Sequence, residues 1–104
     1  MASDKEYLGF ISEQLSHIDA ISYRYMMGEY IIYYRGKIIG GIYDNRFLVK
    51  RVDAAEKLIS DAHYVIPYEN AKPMIEIENI EDREFMYKLI NEMYDELPEP
   101  KKKK

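Results

Sequence analysis

The feature that most constrains this chain is the stretch from Ile21 to Val52. Tyrosine, isoleucine, valine and phenylalanine dominate it, and turn residues fall at Gly28, Gly36 and Asp44-Asn45. Such side chains fit a pleated, half-buried surface, and glycine or Asx punctuation between the runs reads as hairpins. The spacing predicts strands over Ser22–Met27, Tyr30–Tyr34, Lys37–Tyr43 and Arg46–Val52, in antiparallel meander order. Asp44-Asn45 suits a two-residue turn because both side chains tolerate positive φ; Arg35-Gly36 is weaker, since arginine does not favour it.

Helical patterns flank this block. Ser3-Asp4-Lys5-Glu6 has the spacing of a capping box, and Leu8, Ile11, Leu15 and Ile18 recur behind it at helical intervals, so a first helix is expected from about Asp4 to Ser16. Gly9 costs that helix roughly 1 kcal/mol relative to alanine. Asp53 and Glu56 look like a second capping pair, opening a helix whose apolar side is Ala55, Leu58, Ile59 and Ala62. Pro67 and Pro73 bracket a loop, and Met74–Glu78 alternates as a short strand. Acids at Glu81, Asp82 and Glu84 suit the positive end of a last helix, with the stripe Met86, Leu89, Ile90, Met93 and Leu97 behind them, and Pro98 stops it. The order is α-β-β-β-β-α-β-α. Strands that cluster rather than alternate with helices indicate an α+β fold, an antiparallel sheet with helices on one face.

One domain is all that 104 residues support, and residues 1–97 are read as that domain. The 98–104 segment, with lysines from Lys101 to Lys104, reads as a solvated, disordered tail. With those four lysines set aside, eleven basic residues face nineteen acidic ones. That balance counts against direct binding of nucleic acid, whose readers neutralise phosphates with a basic face. The absence of cysteine excludes a disulfide framework, a thiolate metal site and a cysteine nucleophile. No run of 18 apolar residues marks a membrane span, and the charged first residues lack the apolar segment of a secretory signal, so a cytoplasmic, bacterial-type protein is expected.

Candidate chemistry is sparse. His17 and His63 are far apart in sequence and neither has a second histidine at metal-ligand spacing, so no metal is expected; His17 suits the negative end of the first helix. The acids Glu76, Glu78, Glu81, Asp82 and Glu84 lack the spacing and glycine of a calcium loop. Gly36-Lys37 and Gly40-Gly41 do not form a phosphate loop, and no serine lies in a nucleophile elbow. A non-enzymatic protein without a cofactor is expected.

If both two-residue turns set the register, the two sheet faces follow. Ile31, Tyr33, Ile38, Gly40, Ile42, Phe47, Val49 and Arg51 share one face, almost wholly apolar and expected beneath the helices. The other mixes tyrosines and cations with aliphatic residues, and it supplies the candidate partner surface: Tyr30, Tyr34, Lys37, Tyr43, Arg46 and Lys50. Tyrosine gives contact area at low entropic cost and arginine gives directed hydrogen bonds. The same side chains also stabilise an exposed sheet through ordinary cross-strand pairs. Paired glycines at Gly40-Gly41 often mark a bulge, and a slip of one residue exchanges every side chain between faces.

The run from Met26-Met27-Gly28-Glu29-Tyr30 through Tyr33-Tyr34-Arg35-Gly36-Lys37 to Gly40-Gly41-Ile42-Tyr43-Asp44, followed by Arg46-Phe47-Leu48-Val49-Lys50, resembles the TfoX N-terminal domain family of TfoX/Sxy competence regulators. Pro67-Tyr68-Glu69 and Asp82-Arg83-Glu84-Phe85 are similar to stand-alone members of that family. The resemblance extends over about residues 5 to 97 and implies a regulatory interaction module acting through a protein partner, in the family's case on transcription of DNA-uptake genes. It implies no catalytic residues, and the second, helical domain of the full-length regulators is not present in this sequence. A small-ligand-binding protein or an enzyme with a pocket near residues 64–75, between Pro67 and Pro73, is the alternative, and a homodimer meeting through sheets or helices is a third arrangement.

Overall fold

The computed structural model describes residues 5–26, 28–59 and 61–98. The expected capping box at Ser3, the Met27 end of the first strand and the lysine tail lie outside the described residues. Helix α1 spans Lys5–Gln14. It is followed by β1 (Ile21–Met26), β2 (Glu29–Tyr34), β3 (Lys37–Ile42) and β4 (Phe47–Val49), then α2 (Asp53–Leu58). Two short strands, β5 (His63–Val65) and β6 (Met74–Glu76), precede α3 (Arg83–Tyr94). The fold is α+β with helices packed on one face, as the sequence order predicts. Strand β5 is an addition to that order: three residues of which two are exposed carry too little alternation to register as a strand.

The six strands form one sheet in the order β1-β2-β3-β4-β6-β5, and every pairing is antiparallel. Both hairpin turns carry positive φ at their two central residues, Arg35 (51°) with Gly36 (84°) and Asp44 (53°) with Asn45 (57°). These values match the twist of the flanking strands. Arg35 holds a conformation unfavourable to arginine because its guanidinium stacks over two rings, 5.2 Å from the centroid of Tyr34 and 5.5 Å from that of Tyr94.

Ile11 and Leu15 from the α1 region, Ala55 from α2 and Met86, Leu89, Ile90 and Met93 from α3 pack against Ile32, Ile42, Phe47, Val49 and Ile75 of the sheet. Asp82 caps α3 by accepting a hydrogen bond from the Phe85 amide at 3.1 Å. The expected Asp53–Glu56 capping pair on α2 is corrected: Val52 is the capping residue and makes no side-chain bond. The acceptor comes instead from the end of α3, where Glu96 Oε1 receives the Ala54 amide at 2.8 Å. A helix of six residues therefore borrows its cap from another element, which no local pattern shows.

The face assignment also changes, at one residue. Ile32 pairs with Gly40 and Tyr33 with Ile38, so Ile39 has no partner on β2 and forms a bulge. On the Gly40 side of the bulge, Ile42, Phe47 and Val49 point into the core as expected. On the turn side, the faces exchange. Tyr30, Ile32, Tyr34 and Lys37 are buried beneath the helices, and Ile31, Tyr33 and Ile38 lie on the opposite, outer face. Gly40 permits the geometry: a Cβ there would sit 2.0 Å from the Leu48 carbonyl oxygen and 2.7 Å from Val49 Cα. Only a residue without a side chain allows β3 and β4 to approach so closely.

Candidate functional site

The six residues expected to share a partner surface do not meet on one face. Tyr30, Tyr34 and Lys37 are 6%, 3% and 7% exposed, which corrects their assignment to an open surface. Tyr30 packs on Tyr25 of β1, at 5.1 Å between ring centroids, and the other two seat α3. The Tyr34 hydroxyl donates to Asn91 Oδ1 at 3.1 Å, and its ring meets that of Tyr94 edge-on at 5.5 Å. Lys37 Nζ donates to the Tyr94 carbonyl at 3.2 Å and lies 4.2 Å above the Tyr94 ring. A cation against the last carbonyls of a helix complements the negative end of its dipole, and the ring face adds a second attraction. Arg46 stays in the β3–β4 turn, 3.7 Å from Asp44.

Tyr43 and Lys50 instead border a groove of about 780 Å³ on the outer face. Its floor is Ile31, Tyr33 and Ile38, the side chains that the bulge turned away from the helices, with Met26 of β1 beside them. One wall is the loop bearing Pro67, Tyr68, Ala71 and Pro73. Tyr43 is folded down over Gly41, where a Cβ would come 2.8 Å from the Tyr43 ring, and its ring centroid lies 6.2 Å from that of Tyr68. Burial, with Tyr68 and Glu29 nearby, pushes the Tyr43 phenol up to about 12. The Tyr43 hydroxyl therefore stays protonated at neutral pH.

Charge is confined to the rim. Lys50, Arg51 and Lys72 line the groove, and Glu96 is the carboxylate among its described lining residues. Glu96 is already committed to the Ala54 amide. Arg51 is held by Glu56, with Nε 2.6 Å from Oε2, and lies 5.0 Å over the Tyr64 ring. Tyr64 donates to the other Glu56 oxygen at 2.6 Å, and this hydrogen bond, with the Arg51 one, holds the Glu56 carboxyl below its ordinary value. The triad ties β5 to α2 and fixes the guanidinium at the groove's edge. Among the described residues, the Lys50 and Lys72 ammonium groups form no ion pair.

The remaining sequence candidates are structural. His17 Nε2 lies 2.9 Å from the Arg83 carbonyl; an oxygen that can only accept requires the ring nitrogen to donate. Arg83 returns a bond to the Glu13 carbonyl at 3.2 Å, so the pair joins the end of α1 to the start of α3. His63 pairs with Glu78 at 2.7 Å on the exposed surface. Among the described residues no three His, Asp or Glu side chains gather where they could hold a metal ion, and no helix is long and apolar enough to cross a membrane. The groove was accessible to sequence reasoning only in part. Pro67 and Pro73 marked the wall, but the floor depended on a bulge whose one signal was Gly40-Gly41.

No family model matches the chain. It is 33% identical over 72 residues to the uncharacterized 12.7 kDa protein in trpE 5'region of Spirochaeta aurantia, a match covering 69% of this chain. The chain spans 63% of that relative's length. No solved structure matches it.

Proposed function

We propose that this chain is a non-enzymatic, cytoplasmic docking module of the TfoX N-terminal type, and that its outer-sheet groove receives a segment of a protein partner engaged in regulation. The observation that carries the proposal is the floor. Ile38 is 37% and Met26 42% exposed beside Ile31 and Tyr33, on a sheet face that no helix of the described residues covers. Contiguous apolar surface edged by polar groups is the usual mark of an interaction site. The resemblance of residues 26–50 to the competence regulators supports a regulatory partner, and the uncharacterized relative supplies no activity that competes with it.

A small-molecule site is the second reading, because a volume of about 780 Å³ lies in the range of ligand pockets and Pro67–Pro73 forms one wall. A photo-crosslinking residue placed at Ile38, and at Tyr87 on α3 as control, separates the two in living cells. Docking yields a discrete protein adduct from Ile38 that is absent from Tyr87. Identical adducts from both positions, or stabilisation by one metabolite with no adduct, would overturn it.

A further inference from the structure

We infer that the segment received by the groove is acidic, with aliphatic or aromatic anchors. The inference rests on the docking reading above and names the chemistry of the occupant.

Two observations converge. First, charge at the groove has the opposite sign to charge on the rest of the chain. Outside the terminal lysines, nineteen acids outnumber eleven bases, yet three bases and one acid line this groove; Glu96 is bound to a backbone amide and Arg51 to Glu56, which leaves Lys50 and Lys72. Second, the Lys50 and Lys72 ammonium groups have no carboxylate partner among the described residues, so an incoming carboxylate displaces no existing ion pair.

The physical consequence is selectivity by place. An acidic segment is repelled by most of the body and attracted at this groove, which steers it as it arrives. Rim charges act mainly on the rate and register of encounter, and the apolar floor supplies the contact that retains the segment. A basic segment meets repulsion at the rim. A purely acidic one lacks anchors for Ile31, Tyr33 and Ile38. Nucleic acid offers phosphates to the lysines, but its backbone must then lie along an acidic molecule.

The test is a titration of the full isotope-labelled chain, followed by amide chemical shifts, with four probes. Three are peptides of about ten residues, which extend to ~33 Å: alternating Leu-Glu, alternating Leu-Lys and alternating Ser-Glu. The fourth is an oligothymidylate of similar length. The expected result is that Leu-Glu shifts Ile31, Tyr33, Ile38 and Lys50, and that rising salt weakens it. Lys50→Glu with Lys72→Glu lowers that affinity by about tenfold or more, an estimate that takes each rim contact as a modest surface ion pair. The variant keeps the parent's spectrum elsewhere, since Lys72 is exposed, Lys50 is half-buried and neither forms an ion pair among the described residues. Leu-Lys bound in the groove as tightly as Leu-Glu would refute the charge inference and leave docking intact. Ser-Glu binding as tightly as Leu-Glu, or oligothymidylate binding more tightly at the same amides, would refute the anchored acidic segment. If no peptide moves the groove amides, the docking reading falls with it.

Discussion

Adding one methyl group at each of two glycines should move stability in opposite directions. In α1, a Cβ on Gly9 meets nothing within 4 Å. Gly9→Ala therefore removes backbone freedom from the unfolded chain at no steric cost, and stabilises by about 0.5–1 kcal/mol. At Gly40 the same Cβ lies 2.0 Å from the Leu48 carbonyl oxygen and 2.7 Å from Val49 Cα. A carbon needs ~3.3 Å from a carbonyl oxygen, so β3 and β4 must part by more than about 1 Å. The three pairings Gly40–Val49, Gly41–Leu48 and Ile42–Phe47 hold that edge, and Phe47 and Val49 are fully buried. Loss of their hydrogen bonds at about 1 kcal/mol for each pairing, with misfitted core residues costing a further ~1–3 kcal/mol, gives about 4–6 kcal/mol. A chain of this length has roughly 5–15 kcal/mol in total. Urea unfolding at neutral pH, fitted as two states with a common slope, measures both variants. A Gly40→Ala protein within about 1 kcal/mol of the parent would refute the close approach on which the bulge depends.

Lys37→Met should destabilise by about 1–3 kcal/mol, because a buried charge-assisted hydrogen bond and a ring contact disappear while the removed desolvation penalty offsets part of the loss; thermal unfolding reads it, and an unchanged midpoint would return Lys37 to the surface. Burial raises the Tyr23 and Tyr43 phenols to about 12 from 10. A raised folded value contributes stability that is complete below pH 10 and lost as pH climbs from about 10 to 12, so stability should fall across that window and Tyr43→Phe should lessen the fall; phenolate absorbance against pH checks it, and titration of every tyrosine near 10 in the folded chain would contradict it.

The fold was legible where the pattern was local. Turn residues at Gly36 and Asp44-Asn45 located the hairpins, and acids before Met86 located the start of α3. The cap of α2 was not legible, because its acceptor is Glu96, more than forty positions away in the chain. Strand β5 was missed because its exposed residues show no face. The candidate surface was read wrongly for a specific reason. Strict alternation carried Tyr34 and Lys37 outward, and one unpaired residue, Ile39, reversed them. Tyrosine and lysine are compatible with either face, since a phenol or ammonium can be buried once it finds a partner such as Asn91 or the Tyr94 carbonyl. Sequence supplied the glycines that permit the bulge; the partners that decide its direction came from a helix fifty residues further on.

The most direct test of the outer face compares the bulged residue with its neighbour on the turn side. The parent has no cysteine, so Ile38→Cys and Ile39→Cys each introduce a single thiol. Ile38 is 37% exposed and Ile39 fully buried. In the native protein, a thiol reagent should label Ile38→Cys at close to the free-thiol rate, and Ile39→Cys only as fast as the chain opens, with both equal in denaturant. Rapid labelling of Ile39→Cys with protection of Ile38→Cys would put the tyrosine set back on the surface and remove the groove's floor.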